Sequence, residues 1–333
     1  MELKEMPIDD GQLQKFNSQC YTFKEHPLIM LEPYHQIFPS TLYLNQHKSF
    51  QESEVYEDDV WICTFPKSGT HWMQEIVYCL RNGMDFEKAK SSSLTLRVPF
   101  FDFSSVTMAD QTEQIYKALG KPCKSGSELV HHTPRPRTIK THLSYDMLPP
   151  KIHETGAKII CVIRNPRDVC VSLLNHFYLT ENFTGDVELI ADIMLKDIGP
   201  FYAPFFTHIL SYWKQREDPN LLIVHYEEMQ KDIAGIIKRV AKFINAKEYS
   251  DDQIEKLIEH TPLDKMKVNT SVNGTGTVDT VIKLMQNEQK GSLINKGKTG
   301  GWKNKLNEET IERFQKWEEK WLKDTGLSFA YEL

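Results

Sequence analysis

The chain has 333 residues, is 40% hydrophobic and carries a formal charge of −6, enough apolar content for a large core and a length that one α/β domain can reach. The acidic balance argues against a general nucleic-acid binder, which would carry a net basic face. Six cysteines stand scattered without a C-x-x-C pair, so no metal is expected, and no stretch approaches the ~18 apolar residues of a membrane span.

No internal repeat or low-complexity linker divides the chain, so residues 1–333 read as one domain. Residues 1–50 are mixed and rich in Pro, Tyr and His, a peripheral layer with short strands. Met1-Glu2-Leu3-Lys4-Glu5 lacks the apolar region of a signal peptide, and a cytoplasmic, reducing location is the simplest expectation. Val60-Trp61-Ile62-Cys63 reads as a buried strand. Thr64-Phe65-Pro66-Lys67-Ser68-Gly69-Thr70-His71-Trp72 follows, and then Trp72, Met73, Ile76, Val77 and Leu80 recur at helical spacing. Strand, small-residue loop and helix in that order aim backbone N–H groups and a helix dipole at one point. Lys67 adds a charge, Ser68 and Thr70 add hydroxyls, and Gly69 lets the backbone come close, so the natural guest is a phosphate or another oxyanion. The nucleotide-binding pattern G-x-x-x-x-G-K-[ST] is absent.

Farther on, Arg97-Val98-Pro99-Phe100-Phe101-Asp102-Phe103 reads by itself as core, with the wall of an apolar ligand site as the alternative. Arg137-Thr138-Ile139-Lys140-Thr141-His142 is a short strand ending in polar residues. Lys158-Ile159-Ile160-Cys161-Val162-Ile163 is the clearest buried strand, and Arg164-Asn165-Pro166-Arg167-Asp168 starts a helix through Val169, Val171, Ser172 and Leu173. A last strand, Leu221 to Tyr226, precedes a helix with Ile233, Ile236, Ile237, Val240 and Phe243 on one face. Strands alternating with helices imply a central parallel sheet flanked by helices. Ligands of such sheets sit at the carboxyl ends of the strands, and Lys67, His142, Arg164 and Tyr226 all fall there. Residues 272–277 read as a flexible polar loop. Ile294-Asn295-Lys296-Gly297-Lys298-Thr299-Gly300-Gly301-Trp302-Lys303 is either a solvated loop or an anion clasp. A helix with Ile311, Phe314, Trp317, Trp321 and Leu322 closes the chain.

Four of these segments, in order and spacing, resemble the cytosolic sulfotransferases: the Lys67 loop, Lys140-Thr141-His142-Leu143, Arg164 to Ser172, and Lys296 to Lys303. The resemblance covers nearly the whole chain from about residue 55, with details closer to invertebrate members. It implies 3′-phosphoadenosine 5′-phosphosulfate (PAPS) as donor and transfer of its sulfonate to a hydroxyl or amine of a small lipophilic acceptor such as a phenol, sterol or retinoid. Carried over by position, Lys67, Ser68, Gly69, Thr70, His71 and Trp72 would hold the donor, the indole against adenine. Arg164 and Ser172 would grip the 3′-phosphate with Asn295, Lys296 and Gly297. Tyr226, Thr261 and Leu263 would line the adenine pocket.

By the same resemblance His142, by itself a structural histidine at a strand end, becomes the general base, and an ordinary imidazole pKa of about 6.5 suits that task. Lys67 and Lys140 would stabilise charge in an in-line displacement, with Ser172 restraining Lys67, and no metal is required. Phe100, Phe103 and Phe177 would wall the acceptor pocket, and residues 143–150 and 271–292 would be lids. Departures stand beside the matches. Asn295 replaces the usual arginine of the clasp, Leu263 an aromatic adenine partner, and Gly301 an acid. The dimer motif, mapped on Lys303, Asn307, Glu308 and Glu312, has lost its Thr-Val centre, which leaves monomer or homodimer open. Alternatives are a kinase-like phosphotransferase and a donor-binding protein without catalysis. A related insect branch uses transient sulfonation to dehydrate a retinoid, so release or elimination of the product also stays open.

Overall fold

A computed structural model describes residues 3–284, 292–294 and 297–333. Asn295, Lys296 and residues 285–291 of the expected lid lie outside the described residues. Strands β1 (Lys4–Pro7), β2 (Leu28–Glu32) and β3 (Gln36–Pro39) form an antiparallel sheet in the order β1-β2-β3. Strands β4 (Val60–Thr64), β5 (Thr138–Thr141), β6 (Lys158–Ile163) and β7 (Leu221–His225) form a parallel sheet in the order β5-β4-β6-β7.

Both faces of the parallel sheet are covered, and the period of two assigns its side chains. Trp61, Cys63, Ile139, Ile159, Cys161 and Ile163 enter one core. Val60, Ile62, Ile160, Val162 and Val224 enter the other. This is why β4 and β6 are apolar throughout rather than alternating. The helix Thr70–Arg81 packs Met73, Ile76, Val77 and Leu80 on the second core. The helix Pro166–Thr180 starts as the sequence asks: Asn165 is its N-cap, accepting from the Asp168 N–H at 2.9 Å, and Pro166 opens its first turn. The closing helix Glu308–Leu322 docks through buried Phe314 and Trp317. It is locked by Arg167, whose guanidinium forks onto Glu318 at 3.0 and 2.6 Å.

Three expectations change. The N-terminal layer has short strands but is not merely peripheral: Phe16, Phe23 and Phe38 are buried in the main core, and Thr22 reaches the cavity described below. The loop expected after Val272 becomes a helix, Thr275–Leu284, because Val281 finds an apolar partner in Ile115 of the helix Ala109–Ala118. Residues 143–150 are not a lid. Leu143, Met147 and Leu148 are buried in the core beneath the sheet.

Candidate active site

The turn after β4 is tight. Lys67 takes φ +70° and Gly69 φ +103°, and a Cβ on Gly69 would stand 2.5 Å from the Tyr226 ring. Only glycine therefore lets the turn close against Tyr226. Lys67 Nζ donates to the Leu293 carbonyl at 2.8 Å. Arg164, one residue past β6, donates from Nη1 to the Lys67 carbonyl at 3.1 Å and lays its guanidinium 4.3 Å from the Tyr226 ring centre. Tyr226, one residue past β7, donates to the Gly297 carbonyl at 2.8 Å and meets Trp72 edge-on at 5.9 Å. Gly297 (φ +65°) lies so close to Leu263 that a Cβ would fall 1.9 Å from its Cδ1. Asp168 fastens the following segment by accepting from the Gly300 N–H at 2.9 Å and the Trp302 N–H at 3.2 Å.

His142, just past β5, is held on every side. Its Nδ1 lies 2.6 Å from the Thr64 carbonyl and 3.0 Å from Thr64 Oγ1. A carbonyl only accepts, so Nδ1 carries the proton and Nε2 keeps the lone pair. The His142 N–H donates to Asp102 Oδ1 at 3.2 Å. Thr141 Oγ1 and the Tyr202 hydroxyl also donate to Asp102, each at 2.6 Å. Phe100 meets the imidazole edge-on at 5.0 Å, and Lys140 Nζ stands 3.8 Å from the Phe100 ring centre.

Burial sets the charges. It holds the His142 pKa well below the ordinary imidazole value, with Lys140 adding to the effect, so the ring is neutral. The ordinary value expected from sequence is thus replaced by a weaker base that stays unprotonated. Burial lowers Lys67 to about 7, helped by Lys140 and Arg164. It lowers Lys140 to about 8, with Asp102 opposing. His71 is likewise held well below its usual value, by burial first and then by Lys140 and Lys67.

One cavity of about 210 Å3 gathers the sequence-predicted residues Lys67, Gly69, Thr70, His71, Trp72, Lys140, His142, Arg164, Ser172, Tyr226, Leu263 and Gly297, with Phe100 and Phe103 in its wall. Ser68 lies under the loop, its hydroxyl buried. Val272, Thr277 and Val281, from the expected 271–292 lid, also face the cavity. Among the described residues, Thr261 and Phe177, besides Ser68, do not line it. Thr261 spends its hydroxyl on the Leu257 carbonyl at 2.8 Å. Phe177 sits in an aromatic cluster, 5.2 Å from Phe16 and 5.4 Å from Phe201. It is one residue on from His176, so the helix turns it by ~100° away from the cavity. The sequence reading missed Thr22, Asp102, His176 and Glu181. Asp102 alone carried a signal, a carboxylate inside a run of phenylalanines.

A sulfotransferase-domain family model matches residues 57–326. The chain belongs to the sulfotransferase family. This sulfotransferase is 31% identical over 293 residues to luciferin sulfotransferase of Photinus pyralis, covering 87% of this chain and 78% of that protein. It is also 31% identical over 295 residues to sulfotransferase 1B1 of Canis lupus familiaris, covering 87% and 92%. A solved structure of retinol dehydratase with retinol and PAP superimposes with a TM-score of 0.86 at 27% identity, covering 99% of each chain. The same protein in complex with androsterone and inactive cofactor PAP also gives 0.86. The chain is thus an enzyme that transfers a sulfonate group from PAPS. The site fits such a donor on its own evidence: Ser68 Oγ and Arg164 Nε are buried donors without a protein partner, both beside the Lys67 turn.

Proposed function

We propose that this sulfotransferase passes sulfonate to a hydroxyl, or an amine, of a small lipophilic acceptor such as a phenol, sterol, retinoid or other alcohol, with His142 as general base. The observation that carries this reading is the fixed His142 tautomer beside the aromatic wall of the same cavity that holds the oxyanion donors. Lys67, Ser68, Gly69 and Thr70 hold the 5′-phosphosulfate. Arg164 and Ser172, aided by Asn295, Lys296 and Gly297, hold the 3′-phosphate. Trp72, Tyr226 and Leu263 flank the adenine. The donor supplies an activated sulfur whose leaving group is a phosphate.

His142 Nε2 takes the acceptor proton as the acceptor oxygen closes on sulfur. Lys67 and Lys140 offset the negative charge spreading over the sulfonate and bridging oxygens, and Ser172 steadies Lys67. These lysines supply the positive charge a metal would otherwise bring, so transfer proceeds without one. The retinol and androsterone of the retinol dehydratase complexes support retinoids and steroids as acceptors. Among the described residues no helix is long and apolar enough to cross a membrane. A cytoplasmic enzyme, monomeric or dimeric, matches this reading.

His142→Ala tests it. With labelled donor, transfer falls by a factor of about 100 or more, while calorimetry still detects binding of the product nucleotide and transfer by wild type persists in excess chelator. A variant that turns over normally removes His142 from the role of base. Loss of wild-type transfer in chelator removes the metal-free chemistry.

A further inference from the structure

The helix Pro166–Thr180 lends the cavity three residues at successive turns of one face, Ser172, His176 and Thr180. Ser172 stands at the donor end, and eight residues of helix reach ~12 Å from it. The chain then places Glu181 at the far end of the same cavity, opposite Thr22 of the N-terminal layer. Glu181 is only 5% exposed. It accepts the Thr22 N–H at 2.8 Å through Oε2 and the Thr22 hydroxyl at 3.1 Å through Oε1. Among the described residues no lysine or arginine pairs with it, and burial pushes its carboxyl up to about 8. Ionised, each carboxyl oxygen offers about two acceptor positions, and protonated, the carbonyl oxygen still accepts, so Thr22 leaves acceptor capacity in either state. His176, one turn nearer the donor, has a buried Nδ1 without a protein partner. Around this polar edge the wall is Phe201 and, farther in, Phe103 and Phe100.

A merely lipophilic acceptor gains nothing from Glu181 and His176, and its hydrocarbon end leaves both desolvated. Resting on the sulfotransferase reading above, we infer that the preferred acceptor carries a second hydrogen-bond-donating group, a hydroxyl or an amine, on the order of 10 Å from the reacting hydroxyl, and that Glu181, with Thr22 and His176, receives it. The acceptor lies along the helix face, its reacting oxygen at His142 and its distal donor on Glu181. Glu181 acts in binding and takes no part in the proton transfer.

Three rigid acceptors test this with labelled donor: 4-hydroxybiphenyl, 4,4′-dihydroxybiphenyl and 4-aminomethyl-4′-hydroxybiphenyl. In wild type kcat/KM for at least one bifunctional compound exceeds that of the mono-ol by about 10- to 100-fold, beyond the statistical factor for two equivalent hydroxyls. Preference for the diol means that the carboxyl reads a neutral donor, and preference for the amine means that it pairs with an ammonium. In Glu181→Leu the ratio collapses toward one. Glu181→Gln keeps an accepting oxygen but cannot ionise against an ammonium, so it retains a hydroxyl preference and loses an amine preference. Should Glu181→Leu fail to fold, the Glu181→Gln ratios decide. Equal kcat/KM for all three in wild type, or ratios indifferent to Glu181, overturn the inference while leaving the sulfotransferase reading intact. Transfer to none of the three overturns that reading for phenols, and the inference falls with it.

Discussion

His142 owes its usefulness to atoms outside its own ring. The Thr64 carbonyl holds the proton on Nδ1, and Asp102 pins the backbone by accepting from the His142 N–H, Thr141 and Tyr202. Asp102 is fully buried, and burial raises its pKa although all of these donors pull the other way. Asp102→Asn keeps the shape but turns an NH2 toward a donor that needs an acceptor, a conflict worth ~1–3 kcal/mol. The expected result is a kcat lowered about tenfold, with a melting temperature several degrees down. Tyr202→Phe, which deletes one donor cleanly, costs less on both counts. Steady-state kinetics at saturating donor, beside thermal melts, check this. An unchanged kcat in Asp102→Asn shows that the imidazole is positioned without the carboxylate.

At the scale of elements, the site is a set of strand ends stitched together by the helix Pro166–Thr180. Asp168 does the stitching: its carboxylate accepts from the Asn165 side chain, the Gly300 N–H and the Trp302 N–H. Asp168→Ala frees two backbone donors of the clasp, and the product nucleotide is expected to bind about tenfold more weakly. Titration calorimetry reads this directly, and unaltered affinity shows that the clasp holds its shape alone.

Much of this element plan was legible. β6 matches its sequence span from Lys158 to Ile163 because a strand buried on both faces is apolar throughout. Lys67, His142, Arg164 and Tyr226 were expected at one sheet edge, and they line one cavity. Other features were hidden for physical reasons. The Thr275–Leu284 helix opens on a Thr-Gly-Thr run with poor intrinsic propensity and is held by Val281 against Ile115. The pair Thr22 and Glu181 joins residues 159 apart in the chain, a distance no local pattern encodes. The resemblance assigns Phe177 to the pocket, whereas it stands one residue past the cavity-lining His176, and that step on a helix changes the face.

For the whole molecule, the decisive property is a cationic cavity that the fold partly discharges. Lys67 sits at about 7 because burial, with repulsion from Lys140 and Arg164, disfavours its charged form, and Lys140 sits at about 8 because burial outweighs the attraction of Asp102. An anionic nucleotide reverses that preference, so binding takes up protons. Above pH 7 the nucleotide phosphates are already ionised, their second pKa being about 6, and the lysines dominate the linkage. Nucleotide affinity is therefore expected to weaken as pH rises from 7 to 9, by up to about tenfold per unit for each linked proton.

The free protein moves the other way. A lysine with an unfolded pKa of 10.5 and a folded value near 7 binds fewer protons when folded. Its contribution to stability therefore rises with pH across that window. The melting temperatures of free and nucleotide-bound enzyme should converge between pH 7 and 9 as bound-state stabilisation shrinks. Calorimetry in buffers of different ionisation enthalpy gives the uptake itself, and Lys67→Ala should remove the part centred near pH 7. Absence of proton uptake at pH 8, with affinity flat to pH 9, means that both lysines are already charged in the free enzyme. In that case the cavity is preorganised for anions at full charge, and its discharged state belongs to no populated form of the molecule.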